Sequence, residues 1–143
     1  MNMKKSISVI AGSVFAWLLV ITITVQAGEV VVITHKNVSS GSVNAEVVKK
    51  IYSGHMTKWP DNQAIVVSIM EGSDAHKDFL KTYVNKSESQ FSAAWKKMMF
   101  TGQASYPKNF ASAQSIVDFV AKTPGAIGYV DAGAKTDNVN TIK

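Results

Sequence analysis

The chain contains no cysteine and no arginine. Without cysteine there is no disulfide, no thiol nucleophile and no thiolate metal ligand. Without arginine, every fixed positive side chain is a lysine, which lacks the planar fork that grips phosphate and guanine edges bidentately. That argues against a nucleic-acid reader. Three histidines are present, His35, His55 and His76, and none pairs with another at the i, i+4 spacing of a helical zinc site. No metal and no cofactor is therefore expected, and surface or loop positions are the simplest reading of all three. No Ser-His-Asp arrangement has an identifiable context, and no carboxylate pair marks a cleft, so an enzyme is not expected. Internal repeats and low-complexity linkers are absent too.

What is present fits one domain behind a leader. With 46% hydrophobic and 17% charged residues in 143 positions, the composition is that of a folded chain, not a disordered one. Lys4 and Lys5 precede residues 6–25, which hold no charge, and Val25-Gln26-Ala27 follows. A basic start, an apolar run and a small-residue cleavage pattern read as a secretory signal, with Gly28 as the new first residue. The run is about long enough to span a bilayer, but Ser8, Ser13, Thr22 and Thr24 dilute it. The expected organisation is a signal peptide over residues 1–27 and a single exported lobe over residues 28–143. Cysteine is missing at the cleavage site, which excludes a lipoprotein anchor there. The processed chain carries 13 lysines against 10 acidic residues, a mild net charge of +3.

Residues 29–34 (EVVVIT) read as a strand buried on both faces. Ser39-Ser40-Gly41-Ser42 is a polar turn suited to capping the next helix, whose apolar stripe is Val43, Val47, Val48, Ile51 and Tyr52. Gly54 stops it and Trp59-Pro60 keeps it stopped. Residues 64–70 (AIVVSIM) form a second buried strand. Ser73 is the expected N-cap of a helix with Asp74 in its first turn and Ala75, Phe79, Leu80, Tyr83 and Val84 on its buried face. Ser87 to Gln90 matches a capping box ahead of Phe91, Ala94, Trp95, Met98 and Met99. Residues 101–108 are a loop, Ser112 caps a short helix, residues 126–130 (AIGYV) are a third strand, and residues 139–142 are an edge strand. Strands alternating with helices predict an α/β fold with a small, mostly parallel sheet flanked by helices.

Two helix starts stand out as anion sites. At Gly72-Ser73-Asp74, free backbone N–H groups, the positive end of the helix dipole and the Ser73 hydroxyl gather, although Ser73 is equally well explained as an N-cap alone. The carboxylates of Glu71 and Asp74 flank that loop and oppose an anion. The second start, at Ser39 and Ser40, follows the first strand at the kind of sheet end where α/β proteins bind ligands. Thr34, Lys36 and Ser40 are expected to face the same crevice as Ser73. Trp59, Trp95 and Phe91 read as packing residues, and Met98-Met99-Phe100 as a partner surface if exposed.

Four stretches together resemble the phosphate-type periplasmic substrate-binding proteins of ABC transporters: VVVITHKN from Val30, IYSGHMTKWP from Ile51, IVVSIMEGSDAHKDF from Ile65 and PGAIGYVDAG from Pro124. The resemblance implies one lobe of a type 2 periplasmic-binding fold, a periplasmic location, inorganic phosphate or a similar small oxyanion as ligand, and an ABC permease or other membrane protein as partner. Ser73 is the ligand position that matches. Asp74 stands where the family has glycine, Ala75 where it has threonine, and Ile69 near an expected arginine. Family members have two lobes that close on the anion, and this chain has length for one. The alternative implied by those departures is a ligand-free protein-interaction module on the same lobe, with self-association through the uncovered crevice.

Overall fold

The computed structural model describes residues 28–143; the expected signal peptide lies outside the described residues. Strand β1 (Val30–Thr34) leads through a short 3-10 turn at Ser40–Ser42 into helix α1 (Ala45–Tyr52). Strand β2 (Val66–Ile69) is followed by α2 (Asp74–Phe79), which widens into a π-helical turn over Leu80–Val84. Helix α3 (Glu88–Phe100), the two-residue strand β3 (Lys108–Asn109), α4 (Ala113–Lys122), β4 (Ala126–Asp131) and β5 (Asn140–Ile142) complete the chain.

Local chemistry accounts for most of the boundaries. Ser73, Ser87 and Ser112 each accept a hydrogen bond from a backbone N–H of the first turn they precede, and Ser87 with Gln90 closes the reciprocal capping box. Gly54, just past α1, has φ of 77°, the left-handed region where glycine carries no Cβ penalty. Asn85 ends the π turn in the same region, at φ of 55°. One boundary differs from expectation. The α1 cap is Asn44, whose side chain accepts from Val47 N–H, while Ser39 makes no capping bond. The serine run forms its own turn instead, because Val43 is buried and extended and cannot open the helix.

The sheet order is β3-β2-β4-β1-β5. Four of its five strands run in one direction, as the expectation of a mostly parallel sheet has it, and only β1 is reversed. β2 runs parallel to β3 and β4, but β1 is antiparallel to both β4 and β5. An unbroken apolar run tells that a strand is buried on both faces, and β1 is; it carries no information about direction, which depends on a partner almost a hundred residues away.

The core lies between the sheet and its helices. Tyr52, Phe79 and Tyr129 are fully buried, with the Phe79 and Tyr129 rings stacked at 4.0 Å and Tyr52 edge-on to Phe79 at 4.6 Å. Their polar ends are satisfied: Tyr52 Oη donates to Ser68 C=O at 3.0 Å. The indole N–H groups of Trp59 and Trp95 donate to the carbonyls of Gly125 and Tyr52, both at 2.9 Å, so Trp59 ties its loop to the turn that opens β4 and Trp95 ties α3 to the end of α1. Gly128 lets β4 press against its neighbours, since a Cβ there would meet Ser68 Oγ at 2.6 Å and Ile116 at 3.1 Å.

Candidate functional site

Because β2, β3 and β4 are parallel, their carboxyl ends lie at one end of the sheet, and β1 begins there. Ser73 follows β2, Ser112 follows β3, Asp131 ends β4, and Gly28 precedes β1. These four line one groove of about 470 Å³, with Met70, Asp74, Ala75, Asp78, Ala111 and Ala113 completing it. Two capped helix starts therefore open into the same space. In α2 the Ser73 hydroxyl takes His76 N–H, and in α4 the Ser112 hydroxyl takes Ser115 N–H. The N–H groups of Asp74, Ala75, Ala113 and Gln114 precede the first intrahelical bonds and have no protein acceptor among the described residues.

Not all of the expected donors face this groove. The Ser73 hydroxyl donates to Met70 C=O at 2.7 Å. Gly72 N–H is held by a Glu88 carboxylate oxygen at 3.1 Å, and Glu71 N–H by Asn109 Oδ1 at 3.0 Å. Glu71 is directed away from the Gly72–Asp74 loop: Tyr106 Oη and Asn109 Nδ2 donate to its two carboxylate oxygens. Burial, and then that bond to Glu71, push the Tyr106 phenol pKa up. Asp74 does line the groove, as expected, and Asp78 and Asp131 join it.

Ser39, Ser40 and Lys36 lie at the opposite end of the sheet. The antiparallel register places Thr34 beside Ile127, near the start of β4, whereas Val30 pairs with Asp131 at its end. Five residues of strand separate the two ends, about 14 Å. Ser39 borders a separate small depression with Trp59, Pro60 and Gln63. Lys36 Nζ reaches Asn138 Oδ1 at 3.5 Å. Thr34 is wholly buried, and its Oγ1 has no partner among the described residues. The expectation of one shared crevice thus fails for Thr34, Lys36, Ser39 and Ser40, for the same reason that the sheet is mixed.

His76 corrects a further expectation. It is 1% exposed, stacked on Tyr129 and edge-on to Phe91. Its Nδ1 bonds to Tyr129 Oη, which also accepts Met70 N–H at 3.0 Å. Burial lowers the His76 pKa, while Glu88 and Glu71 pull it the other way; burial likewise raises that of Tyr129 strongly. The pair fastens the Met70–Ser73 corner to the sheet. The signal was available: His76, Phe79 and Tyr83 follow each other at helical spacing. Asp78, one turn beyond Asp74 on the same face, was also legible, but Asp131 and Ser112 join the groove only through strand order.

A family model described as a PBP superfamily domain matches residues 8–143. The chain belongs to the PBP superfamily. Among solved structures, this PBP lobe is similar to a putative phosphate ABC transporter substrate-binding protein with bound phosphate from Clostridium perfringens. That match has 22% identity and a TM-score of 0.63, and covers 81% of this chain and 44% of the other. An ABC-type phosphate transport receptor from Vibrio cholerae matches with 17% identity and a TM-score of 0.59 over 81% of this chain and 46% of its own. PstS from Borrelia burgdorferi gives the same identity and TM-score over 80% and 46%. The PBP lobe therefore spans a little under half the length of these structures. No curated protein matches it.

Proposed function

We propose that the processed chain is an exported, periplasmic solute-binding lobe that takes inorganic phosphate or a similar small oxyanion in the groove between the starts of α2 and α4. The observation that carries this reading is the convergence of two capped helix starts, with the N–H groups of Asp74, Ala75, Ala113 and Gln114 unengaged. Such groups, with the positive ends of two helix dipoles, favour an oxyanion. One similar solved structure is a putative phosphate ABC transporter substrate-binding protein with bound phosphate and another an ABC-type phosphate transport receptor, which makes phosphate the first ligand to try. Binding is not catalysis, and no reaction is assigned to the site. An ABC permease is the partner this reading implies.

The aspartates set the character of the site. Asp74, Asp78 and Asp131 oppose an anion, so the monoanion of phosphate should bind better than the dianion, and affinity should rise as the ligand takes up its second proton. Replacing Asp74→Gly removes one charge and should tighten phosphate binding about three- to fivefold at low salt. Amide chemical-shift mapping tests the placement: phosphate should move the resonances of Asp74, Ala75, Ala113 and Gln114. Shifts confined to other residues would reject this groove.

A second reading, a protein-interaction module without a ligand, draws on different observations. The Gly72 N–H and the Ser73 hydroxyl are already satisfied within the protein, and Met99 and Phe100 at the end of α3 are 42% and 83% exposed. Sedimentation separates the two readings cheaply: a concentration-dependent dimer without phosphate binding favours the module.

A further inference from the structure

We propose that signal-peptide cleavage completes the groove, because the new α-ammonium of Gly28 becomes the counter-ion of Asp78 and Asp131. The inference rests on the processing site read between Ala27 and Gly28 and on the position of Gly28 in the fold. A Cβ built on Gly28 would lie 3.5 Å from an Asp131 carboxylate oxygen and 3.8 Å from an Asp78 carboxylate oxygen. The α-nitrogen shares that Cα, so it lies within about 6 Å of both oxygens. In the unprocessed chain this nitrogen is a neutral amide. Hydrolysis by a signal peptidase adds water across the Ala27–Gly28 bond, leaving a carboxylate on Ala27 and an ammonium on Gly28.

The sequence and the fold supply the two halves of this argument independently. The leader places the cut at Gly28, and the antiparallel β1–β4 register, which pairs Val30 with Asp131, brings Gly28 close to the Asp131 carboxylate. Gly28 also borders a second groove with Glu29, Lys81, Tyr83 and Lys143. The ammonium therefore stands among four acids (Glu29, Asp74, Asp78 and Asp131) and two lysines, and the carboxylates of Asp78 and Asp131 are the ones its backbone approaches. Before cleavage the oxyanion groove holds three uncompensated aspartates; after cleavage a positive charge offsets them. Export and readiness to bind are then coupled, which deepens the proposed oxyanion function and depends on it for its binding consequence only.

The experiment compares residues 28–143 with a free amine and the same chain acetylated at Gly28, after mass spectrometry has located the natural N-terminus of the exported protein. With isotope-labelled Gly28, the amine should titrate about one pH unit above the usual α-amino range at low salt. The rise should shrink in high salt and vanish in an Asp78→Asn, Asp131→Asn double variant. A natural terminus elsewhere, or an amine that titrates normally and ignores both substitutions, would overturn the proposal. Calorimetry with inorganic phosphate reads the coupling: the free-amine protein should bind at least threefold more tightly than the acetylated one. A raised amine pKa with no phosphate binding by either form would uphold the ion pairing and reject the oxyanion reading. Equal phosphate affinity in both forms would overturn the coupling.

Discussion

Ser73 donates its hydroxyl to Met70 C=O and accepts His76 N–H, so the residue most expected to hold a ligand is also a structural clasp. Ser73→Ala should cost about 1 kcal/mol of stability through the lost cap and should weaken phosphate binding by loosening the corner that presents Asp74 and Ala75. Thermal unfolding and phosphate titration of the same variant check both effects. His76 gives a pH signature. Its folded pKa is lowered from 6.5 by burial, so the unfolded chain takes up the proton first as pH falls. Its contribution to stability should be complete above about pH 6.5 and lost as pH drops through the lowered folded value. Denaturant unfolding between pH 7.5 and 5 should show this loss, and His76→Asn, which cannot titrate, should flatten it. An unchanged slope in the variant would assign the acid sensitivity to other groups.

At the level of elements, the helices and the mostly parallel sheet were legible, and the reversed direction of β1 was not. Ser73, Ser87 and Ser112 are caps whose chemistry is local, and the stripes they precede are written at helical spacing, so α2, α3 and α4 could be placed within a residue or two. The π turn at Leu80–Val84 could not, because one extra residue per turn leaves the apolar pattern almost unchanged. The two-residue β3 is exposed and carries no alternation. Direction is the deeper loss. VVVIT identifies β1 as buried, yet only its pairing with β4 shows that its start, not its end, meets the groove, and this removed Lys36, Ser39 and Ser40 from the site. The same close pairing makes a testable demand on Gly128. Gly128→Ala should destabilise the protein by about 1–3 kcal/mol, since the methyl would push into Ser68 and Ile116 inside a packed core. Equilibrium unfolding measures it, and a neutral effect would mean that β4 and α4 can part more easily than their packing suggests.

For the whole molecule, the resemblance recognised from IYSGHMTKWP and PGAIGYV led to the right superfamily, and the lobe spans a little under half the length of the solved structures it is similar to. A lobe that binds alone leaves its ligand partly hydrated and has fewer donors to offer, so its affinity should be lower than that of a protein closing two lobes on the same anion. The three aspartates in the groove push the same way, and the Gly28 ammonium pushes back. The central claim, that the groove between α2 and α4 is a working oxyanion site, is tested most directly by calorimetric titration of residues 28–143 with inorganic phosphate at low salt. The account predicts saturable heat that Ser73→Ala weakens and Asp74→Gly strengthens. Absence of heat in the wild-type chain and in Asp74→Gly alike would contradict it and leave the interaction module as the reading of this lobe.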